Sequence, residues 1–561
     1  MTIVPTKVTR VCYHLLEELA LRLPFWQYHE LYRNAPYSFL LDSAKDSPGL
    51  GKYSFIGGDP FLVYCVKRAK RDGGGPPRWY PAEGGNEGRV QGSGFDSTEL
   101  AEVRVQHLPP TTSLQPTAYS LQPIQKANIE VIELVDSNGR PLEEPVITRR
   151  TALPFDDLRQ LLVEHSVEYQ QYADHPVPFL SGVVGYFGYE AGYFIEELTD
   201  RGVDDLALPD IYLMLVSTVL AHCHSTGRSY LSILGRGENE KSASIQAENI
   251  YKTIFERIKE FESHAPPDKQ ISVAEHLSGM TMDIRGHFNQ ADYCRAIETV
   301  KEHIAAGDVY QVCLTRRLDA SLVGGSAWDL YQQLRRINPA PFASFLNFPE
   351  VQVVSSSPER FLALGPDGMA ESRPIKGTRP RGTTSEEDDR LRGELYESPK
   401  DRAENVMIVD LVRNDFGRVC AFRTVEVPEF LKIEDYATVF QMVSTIWGKL
   451  AKGRDALDLI RACFPGGSMT GAPKIEAMKI IDQLEPVKRG IYSGAIGYID
   501  FAGAMDLSMV IRTILVHDGR CYFHVGGGIV ADSHPIDEFQ ETQDKARALI
   551  QALINLRGIR D

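Results

Sequence analysis

Long apolar runs, paired cysteines and basic clusters are all missing from this chain of 561 residues. The longest strongly apolar stretch, 211–221, contains Ser217 and Thr218 and falls far short of the roughly 20 residues a membrane helix needs. Residues 1–20 scatter charges among their apolar positions, so no signal-peptide core is legible. The eight cysteines lie far apart without a CxxC pair, which argues against a disulfide frame or a zinc ribbon and predicts reduced thiols in a cytoplasmic protein. His222-Cys223-His224 reads as a strand entering the turn at 225–227 rather than as a metal fragment. Sixty Lys and Arg face 76 Asp and Glu, a net charge of −16 with no basic patch to offset it, so neither nucleic acid nor a membrane surface is an expected partner. An apolar share of 43% with 24% charged residues is the ordinary globular balance and excludes disorder as the main theme.

What is present divides the chain. Residues 1–265 read mostly as short strands (37–41, 53–56, 61–66, 129–135, 211–221) and a helix over 154–172 with its proline in the first turn. A Gly/Pro-rich insertion lies near 67–95, and residues 266–284 form a linker to a functional region over 285–561. There, apolar residues 293, 296, 297, 300 and 304 predict a helix over 289–306, stopped by Gly307-Asp308. A strand over 309–318 follows, whose second face (Gln311, Cys313, Thr315) meets either solvent or a cavity.

Two helices carry carboxylates in unexpected places. On a helix over 400–412, Glu404 shares a face with Met407, Ile408 and Leu411, and Asp401 lies one turn earlier. On a helix over 536–553, Glu538, Glu541 and Lys545 edge the apolar face. One reading is two salt-bridged helices, Glu541 with Lys545 and Asp401 with Arg402 or Arg413. The other brings both carboxylate pairs to one hard cation such as magnesium, which takes one or two protein carboxylates and leaves room for substrate oxygens.

The turn at 464–474 precedes a helix with Pro473 at its first position and Ser and Thr available as caps, where exposed N–H groups attract an anion. Gly526-Gly527-Gly528 permits close approach of a ligand carboxylate or of a packed helix. Arg512 interrupts an apolar strand over 510–514 and calls for a bidentate carboxylate partner, from the protein or from a substrate. The inventory suits a magnesium-assisted enzyme acting on a small polycarboxylate.

Together, Gly307-Asp308-Val309-Tyr310-Gln311-Val312, Ser355-Ser356-Ser357-Pro358-Glu359, Pro374-Ile375-Lys376-Gly377-Thr378-Arg379, the 401–411 segment, Gly471-Ala472-Pro473-Lys474 and Glu538-Phe539-Gln540-Glu541-Thr542 resemble the chorismate-utilising enzymes, strongly over about 285–555 and weakly before. The resemblance implies an α+β fold, a large two-subdomain sandwich of antiparallel sheets flanked by helices, as in anthranilate synthase component I. It implies Mg²⁺ on Glu404 and Glu541, with Asp401 and Glu538 as outer, water-bridged carboxylates. Arg512, Tyr498, the Gly526–Gly528 backbone and Lys545 match the groups that hold the substrate carboxylates, and Glu359 matches the acid for the departing hydroxyl. Gln311 stands where water-using relatives have a lysine base, which favours ammonia as nucleophile; Thr378 belongs to the catalytic motif of Lys376.

Lys376 resembles the covalent nucleophile of aminodeoxychorismate synthases, expected to be made partly neutral by burial or by Arg379 and Arg381. Gln441, often histidine in relatives that eliminate pyruvate, agrees with keeping the enolpyruvyl group. The expected reaction converts chorismate and ammonia to 4-amino-4-deoxychorismate, for p-aminobenzoate and folate. No glutaminase motif is legible, so a separate amidotransferase subunit is the expected ammonia source. The alternatives are an anthranilate synthase component I and a catalytically silent, ligand-binding regulatory homologue.

Overall fold

The computed structural model describes residues 11–33, 35–44, 50–68, 125–136, 140–167, 177–264, 282–436 and 439–557. Two twelve-stranded antiparallel sheets lie face to face, with helices on both outer sides. Between the sheets runs a seam of Phe39, Phe55, Val63, Tyr186, Tyr212, Phe348 and Leu515. The outer face of one sheet is covered by the helices Glu240–His264, Ala327–Ile337 and Pro535–Arg557. The other is covered by Pro154–Glu164, Pro399–Gly417 and Ala456–Cys463. This is the α+β sandwich that the resemblance implied.

The boundary near 285 does not separate two folding units. Ser38–Asp42 pairs with Phe342–Asn347 in one sheet, and Gly182–Phe187 pairs with Ala495–Asp500 in the other. Each sheet therefore takes strands from both halves of the chain, and the two halves share one core. Most of the insertion near 67–95 and of the 266–284 linker lies outside the described residues.

The apolar run 211–221 is two strands, not one. Ile211–Val216 belongs to one sheet and Thr218–Cys223 to the other, with Ser217 at the crossing. Both segments face apolar layers, so a continuous hydrophobic pattern carries no mark of the change of sheet. The helix expected over 154–172 ends at Glu164. His222 and His224 bond Ser229 and Ser54, and no cluster of three metal-ligating side chains forms among the described residues.

The predicted helix over 289–306 is observed as Gln290–Ala306. Asn289 accepts a hydrogen bond from the Asp292 backbone N–H, and Gly307 closes the other end at φ 84°. Such a cap contributes about 1 kcal/mol. This helix fixes the entry to the Gln311–Ser321 strand, which pairs along its length with Arg520–Ile529. Those two strands form the floor of the site.

Candidate active site

A cleft of about 730 Å³ is lined from both sheets and from the two carboxylate-bearing helices. Cys313 and the 524–528 segment come from one sheet, Lys376, Thr378 and Gln441 from the other, and Glu404 and Glu541 from the helices Pro399–Gly417 and Pro535–Arg557. Gly377, at φ 82°, lets the Lys376 strand approach the first helix. A Cβ there would stand 2.9 Å from the Asp401 side chain.

Lys376 is largely buried, with Nζ 4.0 Å from Glu404 Oε2. Glu359, in the same cleft, is buried and accepts a hydrogen bond from Ser468 Oγ at 3.0 Å. Burial pushes the Glu359 carboxyl up to about 7, with Lys376 and Ser468 pulling the other way. A carboxyl so placed is partly protonated at neutral pH and suits proton donation. Arg379 and Arg381 do not press on Lys376 as expected. Arg379 pairs with Asp401 at 2.9 Å, and Arg381 engages Asp388 and the Tyr436 carbonyl, so carboxylates largely offset both charges.

The four carboxylates expected at a cation all reach this end of the molecule, and each meets a base. Glu404 faces Lys376, Asp401 takes Arg379 instead of Arg402 or Arg413, Glu538 accepts from Ser533 at 2.7 Å and meets Lys400 at 3.5 Å, and Glu541 pairs with Lys545 at 2.6 Å. Burial raises the Glu404 carboxyl, assisted by Asp401 and Glu541 despite Lys376 and Lys400. Burial also acts to raise Glu541, but Lys545 outweighs it and the net shift is downward. The carboxylates do not form a ready-made cluster of three among the described residues, but Glu404 feels the charges of Asp401 and Glu541, and oxygen donors of this kind suit a hard divalent ion that would take the place of the ammonium groups. Lys400 went unnoticed in the sequence, although it sits one helical turn before Glu404.

The opposite wall is basic. Arg512 does not sit within a strand but between Met505–Met509 and Thr513–His517, at φ 53°. A non-glycine residue in that region costs on the order of 1–3 kcal/mol, a strain that clusters at ligand sites. Its Nη1 donates to the Lys545 carbonyl at 2.6 Å, and no carboxylate lies within ion-pair reach of it among the described residues. Lys545 Nζ donates to the Gly526 carbonyl at 2.8 Å.

The three glycines admit the protein's own groups as well as a ligand. A Cβ at Gly528 would collide with Gln311 Nε2 at 1.9 Å, and one at Gly527 would press on Glu538 at 3.0 Å. Gln311 is thereby packed under the glycine strand, and its Oε1 has no hydrogen-bond partner among the described residues.

Tyr498 is not in the cleft. It belongs to the Ala495–Asp500 strand and points into the seam between the sheets, stacked on Phe179 at 4.5 Å. Tyr492, from the turn before that strand, lines the cleft and stacks on His524 at 5.0 Å. The sequence offered one signal for His524: it alternates with Gly526 and Gly528 on a single strand face. The 464–474 turn also differs from expectation. Pro473 precedes the helix Lys474–Leu484, no side chain caps it, and Ser468 turns to Glu359 instead. Lys474 is buried against Asp415 at 2.7 Å, and Gly471–Ala472 pairs with Gln311 and Val312, so the turn is clamped into the floor rather than open to an anion.

Comparisons with known proteins agree with this geometry. The aminodeoxychorismate synthase component 1 of Escherichia coli (strain K12) is 36% identical over 465 residues, 82% of this chain and 96% of that protein. The anthranilate synthase component 1 of Aquifex aeolicus is 39% identical over 384 residues, 68% and 76% of the two chains. An aminodeoxychorismate synthase from Streptomyces pristinaespiralis matches 93% of this chain at 36% identity, a match spanning 62% of its own length. Among solved structures, anthranilate synthase component I from Streptococcus pneumoniae TIGR4 superposes with a TM-score of 0.61 at 28% identity, covering 80% of this chain and 95% of that one. A menaquinone-specific isochorismate synthase from Escherichia coli shares the fold, with a TM-score of 0.60 at 16% identity over 97% and 95% of the two chains. The family model of chorismate binding enzymes matches residues 139–551, and this chain belongs to that family.

Proposed function

We propose that the chain is the first component of an aminodeoxychorismate synthase, joining chorismate and ammonia into 4-amino-4-deoxychorismate. The observation that carries this reading is Lys376, sheltered in the cleft with Glu404 4.0 Å from its Nζ and its charge felt by Glu359. Arg512 and the Gly526–Gly528 backbone take the substrate carboxylates, supported by the guanidinium's lack of a carboxylate partner among the described residues. A divalent ion held by Glu404 and Glu541, with Asp401 and Glu538 outside them, supplies Lewis-acid polarisation of the ring carboxylate when bound.

The chain's own residues then divide the work. Deprotonated Lys376 Nζ bonds to C2 of the diene as the C4–O bond breaks, and Glu359 gives its proton to the leaving hydroxyl, which departs as water. Ammonia adds at C4, the C2–N bond to Lys376 breaks, and the surplus ammonia proton returns to Glu359. Gln311 cannot act as a base toward water, which leaves a ready-made amine as the nucleophile. A partner glutamine amidotransferase is the proposed ammonia source; the printed name "component 1" of the Escherichia coli relative supports a multi-component enzyme. The product would serve p-aminobenzoate and folate synthesis.

The Aquifex relative favours a second reading, amination at C2 with loss of pyruvate to give anthranilate. Incubation with chorismate, Mg²⁺ and ammonium, followed by product mass, separates the two. An aminated product that retains the enolpyruvyl group supports the first reading, and direct release of anthranilate supports the second.

A further inference from the structure

His524 is buried, at 4% exposure, in the wall of the cleft. Its ring lies nearly parallel to that of Tyr492, at an interplanar angle of 14°, so its orientation is fixed by packing. Tyr492 in turn feels the charge of Arg512, which places the three side chains in one wall. Nε2 of His524 is sealed from solvent and has no hydrogen-bond partner among the described residues, whereas Nδ1 is not among the sealed unpartnered atoms.

The surroundings decide which nitrogen carries the proton. Directly across the strand pair from His524 stands Arg317, whose own Nε is buried without an acceptor. A proton at Nε2 would be a sealed donor with no acceptor among the described residues, whereas Nδ1 is not sealed in this way. Burial, with the charges of Arg317, Arg489 and His287, keeps the ring neutral. The neutral ring therefore holds its lone pair at Nε2 and its proton at Nδ1, the nitrogen left to the open cleft.

We propose that His524 donates its Nδ1–H to a carboxylate oxygen of the bound substrate, an uncharged donor beside Arg512 that adds to the grip on the dicarboxylate. This rests on the reading of the cleft as a chorismate site. A neutral donor complements Arg512 without placing a further buried cation in the wall.

The test combines chorismate binding by equilibrium dialysis with steady-state turnover on chorismate, Mg²⁺ and ammonium. His524→Leu is expected to raise both Kd and KM about tenfold with kcat little changed, the signature of lost uniform binding. His524→Asn, whose amide N–H falls near Nδ1, is expected to stay within about threefold of the native protein, and His524→Gln, whose amide reaches the Nε2 position, to resemble His524→Leu. Thermal midpoints are read alongside. Should His524→Leu fail to fold, the contrast between Asn and Gln carries the test. Native affinity in His524→Leu, or equal losses in Asn and Gln, overturns the proposal while leaving the chorismate reading intact. A native protein that neither binds nor converts chorismate overturns both.

Discussion

The two walls of the cleft are built on opposite electrostatic plans. On the helical rim every carboxylate meets a basic or hydroxyl group: Glu404 with Lys376, Asp401 with Arg379, Glu538 with Ser533 and Lys400, Glu541 with Lys545. On the strand wall Arg512 is half-buried and strained, and among the described residues its guanidinium donates to a backbone carbonyl and pairs with no carboxylate. The Glu541–Lys545 pair is half-exposed, the kind of ion pair that is worth little and yields readily to a competing ion. A half-buried guanidinium without a carboxylate is partly desolvated and offers an arriving anion an unengaged partner. The contrast reads as one wall whose charges exchange partners and another that waits for a ligand.

Lys376 joins the two walls, and removing it breaks the scheme most severely. Lys376→Ala is expected to lower C4 amination by on the order of 10⁴-fold while leaving chorismate bound, as measured by product mass and by equilibrium dialysis. Next comes Glu359→Gln, expected to cost about 10²–10⁴-fold in turnover, the span of general-acid effects. In the native protein the Glu359 carboxyl, raised to about 7, must be protonated to serve the leaving hydroxyl. Turnover at constant free ammonia should therefore fall as pH rises through about 7, and a flat profile would remove Glu359 from that role.

Arg512→Leu is expected to weaken chorismate about 10–100-fold, the range for a hydrogen bond to a charged group, with a smaller effect on kcat. The mildest change is Lys400→Gln. It removes a cation that competes for the rim carboxylates, so the Mg²⁺ concentration for half-maximal turnover should drop a few-fold, in line with about 0.5–1 kcal/mol for a long pair whose lysine is exposed while Glu538 is buried. An increase would mean that Lys400 supports the site rather than competing within it.

The sequence made much of this legible where chemistry and periodicity pointed the same way. The 289–306 helix was marked by its apolar spacing and its Gly307-Asp308 stop, and the Lys376 and Glu359 motifs fall in the cleft as local runs. Tyr498 was misplaced because two tyrosines lie six residues apart. The one in the strand alternates into the seam, while the one in the turn before it reaches the cleft. Nothing local to either shows which sheet face is open. The crossing at Ser217 was hidden for a similar reason, since strands in both sheets are covered on both sides. Partners such as Asp401 with Arg379 depend on which strand lies over which helix, and helical spacing alone points to the wrong arginines.

Product identity tests the central claim most directly. With chorismate, Mg²⁺ and ammonium supplied, mass spectrometry should show an aminated product that keeps all the carbons of chorismate and is absent with Lys376→Ala. Anthranilate and free pyruvate from the native protein, or unchanged C4 amination by Lys376→Ala, would contradict it.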